Sequence, residues 1–400
     1  MRDILHCDLN NFFASVECKK RPELKKVPMA VAGDPKLRHG IILAKNELAK
    51  KYGVVTAETI YSAKKKCPDL VLVEGHYQDY KRYSKLVNDI YLEYTDRVEP
   101  FGIDESFLDI TNSQKIFGSP VEIANKIRKE VKEKTGLSIS VGVSFNKSLA
   151  KLGSDLKKPD AVSIIAYENF RQKINFLPVN MLLFVGKRTN EELTKLGIIT
   201  IGDLAKYNRQ KLVIKLGKIG GLIHDYANGL DNDEVNKYEQ VYRPKSISSG
   251  KTFSKDLEDI ISIEDEIRKL VDEVSFKLRK YNMKCQNVSV SIKNDRFIIK
   301  SKQKNIEKTN AFDDICAMAI KLFNISYNVN EKVRAITINV SSLVSALDEE
   351  QINLFEYADK YKKVDKKQKV LEIMDDIREK YGYDNTKFGS LINYKKNIDK

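Results

Sequence analysis

The chain has 400 residues, 42% of them hydrophobic, and its 70 Lys and Arg against 56 Asp and Glu give a net charge of +14. That length makes two to four domains at roughly 100–200 residues each, and no apolar run approaches the roughly 20 residues of a membrane span. The positive excess points to a polyanionic partner, nucleic acid first, although a lysine-rich solvated surface would give the same balance.

Residues 3–9, DILHCDL, alternate enough for a strand, and Asp8 inside this first apolar run is unlike a secretory leader. Asn11 to Lys19 turns helical, with Phe12, Phe13 and Val16 at helical spacing. Strands over Val27–Ala32 and Gly40–Ala44 precede a helix over Lys45–Tyr52 stopped by Gly53, then a helix over Ala57–Cys67 closed by Pro68. An amphipathic helix follows over Tyr77–Asp96, and Arg97–Thr111 reads as two short strands. A helix over Val121–Thr135 ends at Gly136, the strand Leu137–Ser144 (LSISVGVS) alternates with β-branched residues, and Asn146–Leu156 is helical. From about 171 to 235, short helical segments are punctuated by glycines, and residues 236–250 read as an extended basic linker around Pro244. Helices over Ile261–Lys280 and Ala311–Leu322 then alternate with strands over Gln286–Ile292, Arg296–Lys300 and Arg334–Ser341. The tail, 346–400, is charged, with one isolated apolar cluster, QINLF, and a later helical segment over Lys366–Tyr381. The fold class expected is a multidomain α/β (α+β) protein built on a mainly antiparallel sheet, with an α/β insertion at about 20–75.

The five cysteines are scattered without CxxC spacing and the four histidines are dispersed. A zinc site or a disulfide framework is therefore not expected, and a reducing cytoplasm is. Three acidic residues stand out instead: Asp8 at the end of the first strand, and Asp104 and Glu105 between two later ones. Neighbouring strands of one sheet would bring them together. Carboxylates without His or Cys partners favour hard divalent cations, Mg²⁺ or Mn²⁺, and two such ions can activate a 3′-hydroxyl and stabilise a leaving pyrophosphate. Taken alone, the pair Asp104–Glu105 is as well explained as an ordinary turn.

The flanking residues bear on that choice. DLNNFFASVE at 8–17, FGIDESFLDIT at 101–111 and SVGVSFNKSLAKLGSDLKKPD at 140–160 resemble, in this order and spacing, the palm of a Y-family DNA polymerase, the lesion-bypass class, in its bacterial DNA polymerase IV branch. The resemblance extends over about 1–345. It implies a right-hand polymerase with palm (1–20 and 76–170), fingers (21–75), helical thumb (171–235), basic linker (236–250), little finger (251–345) and a tail (346–400). It implies that Asp8, Asp104 and Glu105, with the backbone carbonyl of Leu9, hold two Mg²⁺ ions, with Mn²⁺ as a substitute. It implies nucleotide contacts from Phe12, Phe13, Ala44, Lys50 and Lys158. Phe13 matches the steric gate that rejects a 2′-hydroxyl, whereas Phe12 fits a core position better. Lys158 matches a lysine that reaches the triphosphate.

The fingers depart from the family pattern. Where the family usually has Tyr and Arg for the β- and γ-phosphates, this chain has Glu47 and Lys50. Lys50 keeps the charge of arginine without its fork, and Glu47 would repel a triphosphate it faced, so either Glu47 faces away and Lys45 or Lys51 assists, or nucleotide affinity is low. Phe184-Val-Gly186-Lys187-Arg188 and Leu216-Gly217-Lys218-Ile219-Gly220 resemble paired helix-hairpin-helix elements, whose backbone N–H groups meet DNA phosphates. The family's first hairpin often carries Gly where Phe184 stands. Residues 244–253, PKSISSGKTF, resemble a template-backbone strand, with Lys245, Ser246 and Lys251 as phosphate donors. Gln351, Leu354 and Phe355 resemble the short peptide by which bacterial polymerases dock on the sliding clamp, placed before a further helical segment as in the polymerase V-type branch. The expected activity is low-fidelity, template-directed synthesis on primer–template DNA from deoxyribonucleoside triphosphates by a cytoplasmic monomer with no membrane partner, serving DNA repair. A catalytically weak scaffold on clamp and DNA is the first alternative, and the three carboxylates argue against it. A nucleotide cyclase with a similar palm is the second, and it has no reason to carry hairpins and a clamp peptide.

Overall fold

A computed structural model describes residues 2–34, 40–238, 244–328, 331–347, 370–371 and 373–386. The described residues up to 238 form one compact unit and those from 244 another. Gln351, Leu354 and Phe355 lie outside the described residues.

The first unit is built around a five-stranded sheet. Its elements begin with β1 (Ile4–Leu9) and α1 (Phe12–Lys20), followed by β2 (Met29–Ala32), β3 (Ile42–Lys45), α2 (Glu47–Lys51), α3 (Ile60–Lys66) and β4 (Val71–Val73). Next come α4 (Tyr77–Leu92), β5 (Val98–Pro100), β6 (Glu105–Asp109), α5 (Gln114–Phe117), α6 (Pro120–Thr135), β7 (Ile139–Ser144), α7 (Lys147–Leu156) and β8 (Val162–Ile165). The large sheet has the order β5-β6-β1-β7-β8, and the small one β3-β2-β4. All six residues of β1 are buried, so the strand is central and its C-terminal end can hold a sheltered polar group. The helix expected over 57–67 begins only at Ile60, because Thr59 caps it by accepting from Ser62 N and Ala57 sits at φ 69°.

The unit ends with a helical array: α8 (Phe170–Ile174), α9 (Lys187–Lys195), α10 (Ile201–Lys206), α11 (Arg209–Leu216) and α12 (Lys218–Ala227). Its apolar side chains, among them Leu193, Ile201, Leu212 and Ile223, share a core with Leu149 and Leu152 of α7. The chain then returns along the large sheet, where Asp231 accepts from Ser148 N and Lys147 pairs with Glu99 at 2.7 Å.

The second unit has the sheet order β11-β10-β12-β9, drawn from β9 (Ser246–Leu257), β10 (Met283–Asn294), β11 (Ile299–Thr309) and β12 (Val333–Ser341). Helices α13 (Ile260–Lys280) and α14 (Phe312–Ser326) pack their apolar residues against Val288, Val290, Ile336 and Ile338. Strand β9 begins inside the stretch read as a linker. The strand expected over Arg296–Lys300 is mostly a turn: Asn294 Oδ1 accepts from Arg296 N and Ile298 N, and Phe297 sits at φ 64°. A tail segment docks on α13, where the buried Arg378 guanidinium pairs with both carboxylate oxygens of buried Asp272 at 3.0 and 2.7 Å, and Tyr383 donates to the same carboxylate.

Candidate active site

Strands β1 and β6 run antiparallel with Asp8 opposite Glu105, so residues 97 positions apart become cross-strand neighbours (105 − 8 = 97). Leu9 N donates to the Asp104 carbonyl at 2.9 Å, which ties the turn before β6 to the end of β1. Three carboxylates thus converge at one sheet end. Burial, together with the neighbouring Asp8 and Glu105, pushes the Asp104 carboxyl up to about 6. Burial would raise Glu105 as well, but His6 and Lys151 beside it hold it down at about 2.

The cations that meet these carboxylates come from the α7 region. Lys158 Nζ lies 2.7 Å from Asp8 Oδ2 and 2.8 Å from Asp155 Oδ1. Lys151 Nζ lies 2.9 Å from Glu105 Oε1 and 3.5 Å from both Asp8 and Asp155. Helix α7 can lie this close because Gly142 on β7 has no side chain: a Cβ there would stand 1.9 Å from the Ala150 carbonyl oxygen. His6 is fully buried, and burial holds it below the ordinary imidazole value. Ser154 Oγ, which donates to the Lys151 carbonyl, lies 2.8 Å from His6 Nδ1, and His6 Nε2 lies 3.2 Å from Glu105. Asn10 completes the frame, accepting from Asp160 N and donating to Ser140.

The donor set fits hard divalent cations in type, being carboxylate oxygens gathered at a buried strand end. Among the described residues, however, no three acidic, His or Cys side chains are disposed to hold a metal ion. The reason is visible in the distances above: Asp8 and Glu105 are turned onto ammonium groups.

Phe12 and Phe13 part company at the start of α1. Phe12 is buried in the core of the large sheet, as expected from its spacing. Phe13 is half-buried and stacks on Tyr80 with centroids 4.1 Å apart and planes 10° from parallel. Ala44 on β3 packs against the same small apolar cluster as Phe13. Tyr80 is in turn fixed by donating to buried Glu17 at 2.7 Å. On α2, Glu47 Oε1 accepts from Asn11 Nδ2 at 2.8 Å, and the half-exposed Lys50 lies 3.8 Å from it. Lys45 donates to Thr56.

The hairpin glycines separate by role. Gly186 and Gly217 stand at the N-terminal ends of α9 and α12 with open space where a Cβ would be, and Lys187 opens α9. Gly220 differs in being packed: a Cβ there would stand 2.3 Å from the Leu212 carbonyl oxygen, so its missing side chain lets α11 and α12 cross closely. Phe184, where the family pattern has Gly, takes φ 68° and stacks on Tyr226. In the second unit, Lys245 and Ser246 are exposed at the start of β9, and Lys251 pairs with Glu266 at 2.7 Å.

Sequence reasoning missed Lys151, Asp155, His6, Asn10 and Tyr80. The i, i+4, i+7 spacing of Lys151, Asp155 and Lys158 is the signal that could have found the first two.

Residues 7–155 match the model of the impB/mucB/samB family, and residues 244–354 match the C-terminal domain of that family. The chain is 43% identical to a DNA polymerase IV of Acetivibrio thermocellus over 98% of both chains. It is 37% identical to one of Clostridium kluyveri over 99% of this chain and all of the other. Among solved structures, a Y-family DNA polymerase chimera superposes with a TM-score of 0.76 at 24% identity, covering 86% of this chain and 99% of the other.

Proposed function

This chain belongs to the impB/mucB/samB family and is a Y-family DNA polymerase, a DNA-directed enzyme of translesion synthesis, and from that premise we propose that Asp8, Asp104 and Glu105 form its catalytic centre. The observation that carries the assignment is the β1–β6 register, which sets Asp8 against Glu105 with Asp104 beside them. Its substrates are primer–template DNA and deoxyribonucleoside triphosphates, and its family depends on divalent metal.

We assign that metal as Mg²⁺, two ions, held by the three carboxylates and the Leu9 carbonyl, with Mn²⁺ able to replace it. When bound, the ions make the primer 3′-hydroxyl more acidic and offset charge on the departing pyrophosphate. The new bond joins the 3′-oxygen to the α-phosphorus, and the bond from that phosphorus to the bridging oxygen of pyrophosphate breaks in line. The protein's part is positioning. Phe13, backed by Tyr80, packs under the sugar and leaves no room for a 2′-hydroxyl. Lys158 and Lys50 meet the triphosphate as point charges, and Glu47, drawn aside by Asn11, spares it a like charge. Gly186, Lys187 and Gly217 in the helical hairpins, with Lys245, Ser246 and Lys251 in the second unit, hold the DNA backbone and read no bases.

Gln351, Leu354 and Phe355 are proposed to dock on the sliding clamp, and the enzyme is proposed to act as a cytoplasmic monomer. No helix among the described residues is long and apolar enough to cross a membrane. Primer extension with Mg²⁺, run beside a DNA-binding assay, tests the central assignment. Asp104→Ala is expected to abolish extension while leaving DNA binding intact. Extension that survives this change would move the catalytic centre elsewhere.

A further inference from the structure

Three buried or half-buried carboxylates at one sheet end repel one another, and burying charge without a partner is costly. Each ammonium group that relieves this repulsion touches two kinds of carboxylate. Lys151 and Lys158 both reach Asp8, Lys151 also reaches Glu105, and both reach Asp155. Asp155 lies on α7 and is not among the residues assigned to metal. It is therefore the one carboxylate the two lysines share that a metal ion would not claim.

We propose that Lys151 and Lys158 are resident counter-cations that hold Asp8 and Glu105 until divalent cations displace them, and that Asp155 is the positioning residue that keeps the displaced ammonium groups. This rests on the assignment of Asp8, Asp104 and Glu105 as the metal-binding carboxylates. The exchange is chemically balanced, since each lysine gives up one carboxylate and retains another. A part-buried ammonium left with no carboxylate would instead oppose metal entry, because it would give up an ion pair without replacing it. The close seating of α7 on Gly142 confines the exchange to side chains.

The test is titration of the full chain with Mn²⁺ alone, following the free ion by electron paramagnetic resonance, so that no turnover is involved. Lys151→Met removes a competitor, and the Mn²⁺ dissociation constant is expected to fall about tenfold, the factor that corresponds to roughly 1.4 kcal/mol. Asp155→Asn leaves the lysines nowhere else to go, and the constant is expected to rise about threefold, on the same scale. In a Lys151→Met, Lys158→Met background, Asp155→Asn should lose most of its effect, because the carboxylate acts through the two lysines it pairs with. Equal effects in both backgrounds would mean an ordinary local field and would overturn the proposal, as would an unchanged or weaker affinity in Lys151→Met. Should Lys151→Met not fold, as judged by circular dichroism, Asp155→Asn decides alone, and an unchanged constant sinks the idea. Asp104→Asn separates the two layers: wild-type Mn²⁺ affinity in that variant would refute the metal site itself, not the role of the lysines.

Discussion

Lys50 stands where the family pattern has arginine, and its ammonium is half-exposed and 3.8 Å from Glu47. Its contact with a phosphate would be a single, partly solvated charge contact, worth about 1 kcal/mol. Lys50→Ala should therefore raise KM for the incoming nucleotide roughly fivefold with little change in kcat. Steady-state kinetics over a nucleotide series checks this, and an unchanged KM places the phosphate grip on other residues. Glu17 holds Tyr80, the ring on which Phe13 stacks. Burial alone would raise its carboxyl, but the hydrogen bond from Tyr80 and the approach of His76 at 3.0 Å outweigh this and hold it below the usual carboxylate range. A carboxyl lowered in the folded state contributes stability above its unfolded pKa and loses it as pH falls through the folded value. Wild-type Tm should thus drop more steeply than that of Glu17→Gln as pH goes from about 5 to 3. Parallel melting curves across that range would show that Glu17 does not carry the effect. At this scale the sequence was readable where a motif marked a position: Asp8, Phe13 and Lys158 were singled out that way, and the fold sets Lys158 2.7 Å from Asp8. Tyr80 and Glu17 were not, because a tyrosine on an amphipathic helix and a glutamate in FASVE carry no mark of the ring they hold.

Elements were legible in proportion to their length and periodicity. Strand β7 and helices α4, α6 and α13 lie within a few residues of where alternation and amphipathic spacing put them. Strands β4 and β8 were missed. Both are short and pair in parallel, β4 with β2 and β8 with β7. Three or four residues cannot display a period. The packing of α7 on the sheet was equally hidden, since Gly142 reads only as one weak point in a good strand. Its consequence is large. Gly142→Ala puts a Cβ 1.9 Å from the Ala150 carbonyl oxygen and 2.4 Å from Ser154 N, both backbone atoms that cannot swing aside. Helix α7 must lift, at about 1–3 kcal/mol or more, and Lys151 lifts with it. The variant should melt several degrees lower, at roughly 2–4 °C per kcal/mol, and should also lose kcat. A lower Tm with normal kcat would show that the lysines tolerate displacement of their helix.

At the scale of the whole molecule, the net charge of +14 was a correct pointer to a nucleic acid, and it said nothing of where the contacts lie. The docking of the tail on α13 was wholly unreadable, because the pair Arg378–Asp272 joins positions 106 apart with no periodic relation between them. The basic segment at the start of β9 lies between these extremes. Its lysines were singled out by resemblance, but only the structure separates them: Lys245 is exposed, whereas Lys251 is held by Glu266. The distinction has a measurable consequence. A lysine that neutralises a DNA phosphate releases condensed counterions, and each such contact adds about 0.9 to the slope of log affinity against log salt. A lysine already paired with a carboxylate must give up that pair to do the same, so its net share is smaller. For the full chain on primer–template DNA, affinity should fall steeply with salt. Lys245→Gln should flatten the slope by up to about 0.9, while Lys251→Gln should flatten it less. Glu266→Gln, by freeing Lys251, should steepen the slope and tighten binding at low salt. Fluorescence anisotropy over a salt series distinguishes these outcomes. Equal slopes for wild type and Lys245→Gln would remove the start of β9 from the DNA interface and leave the helical hairpins as the main phosphate grip.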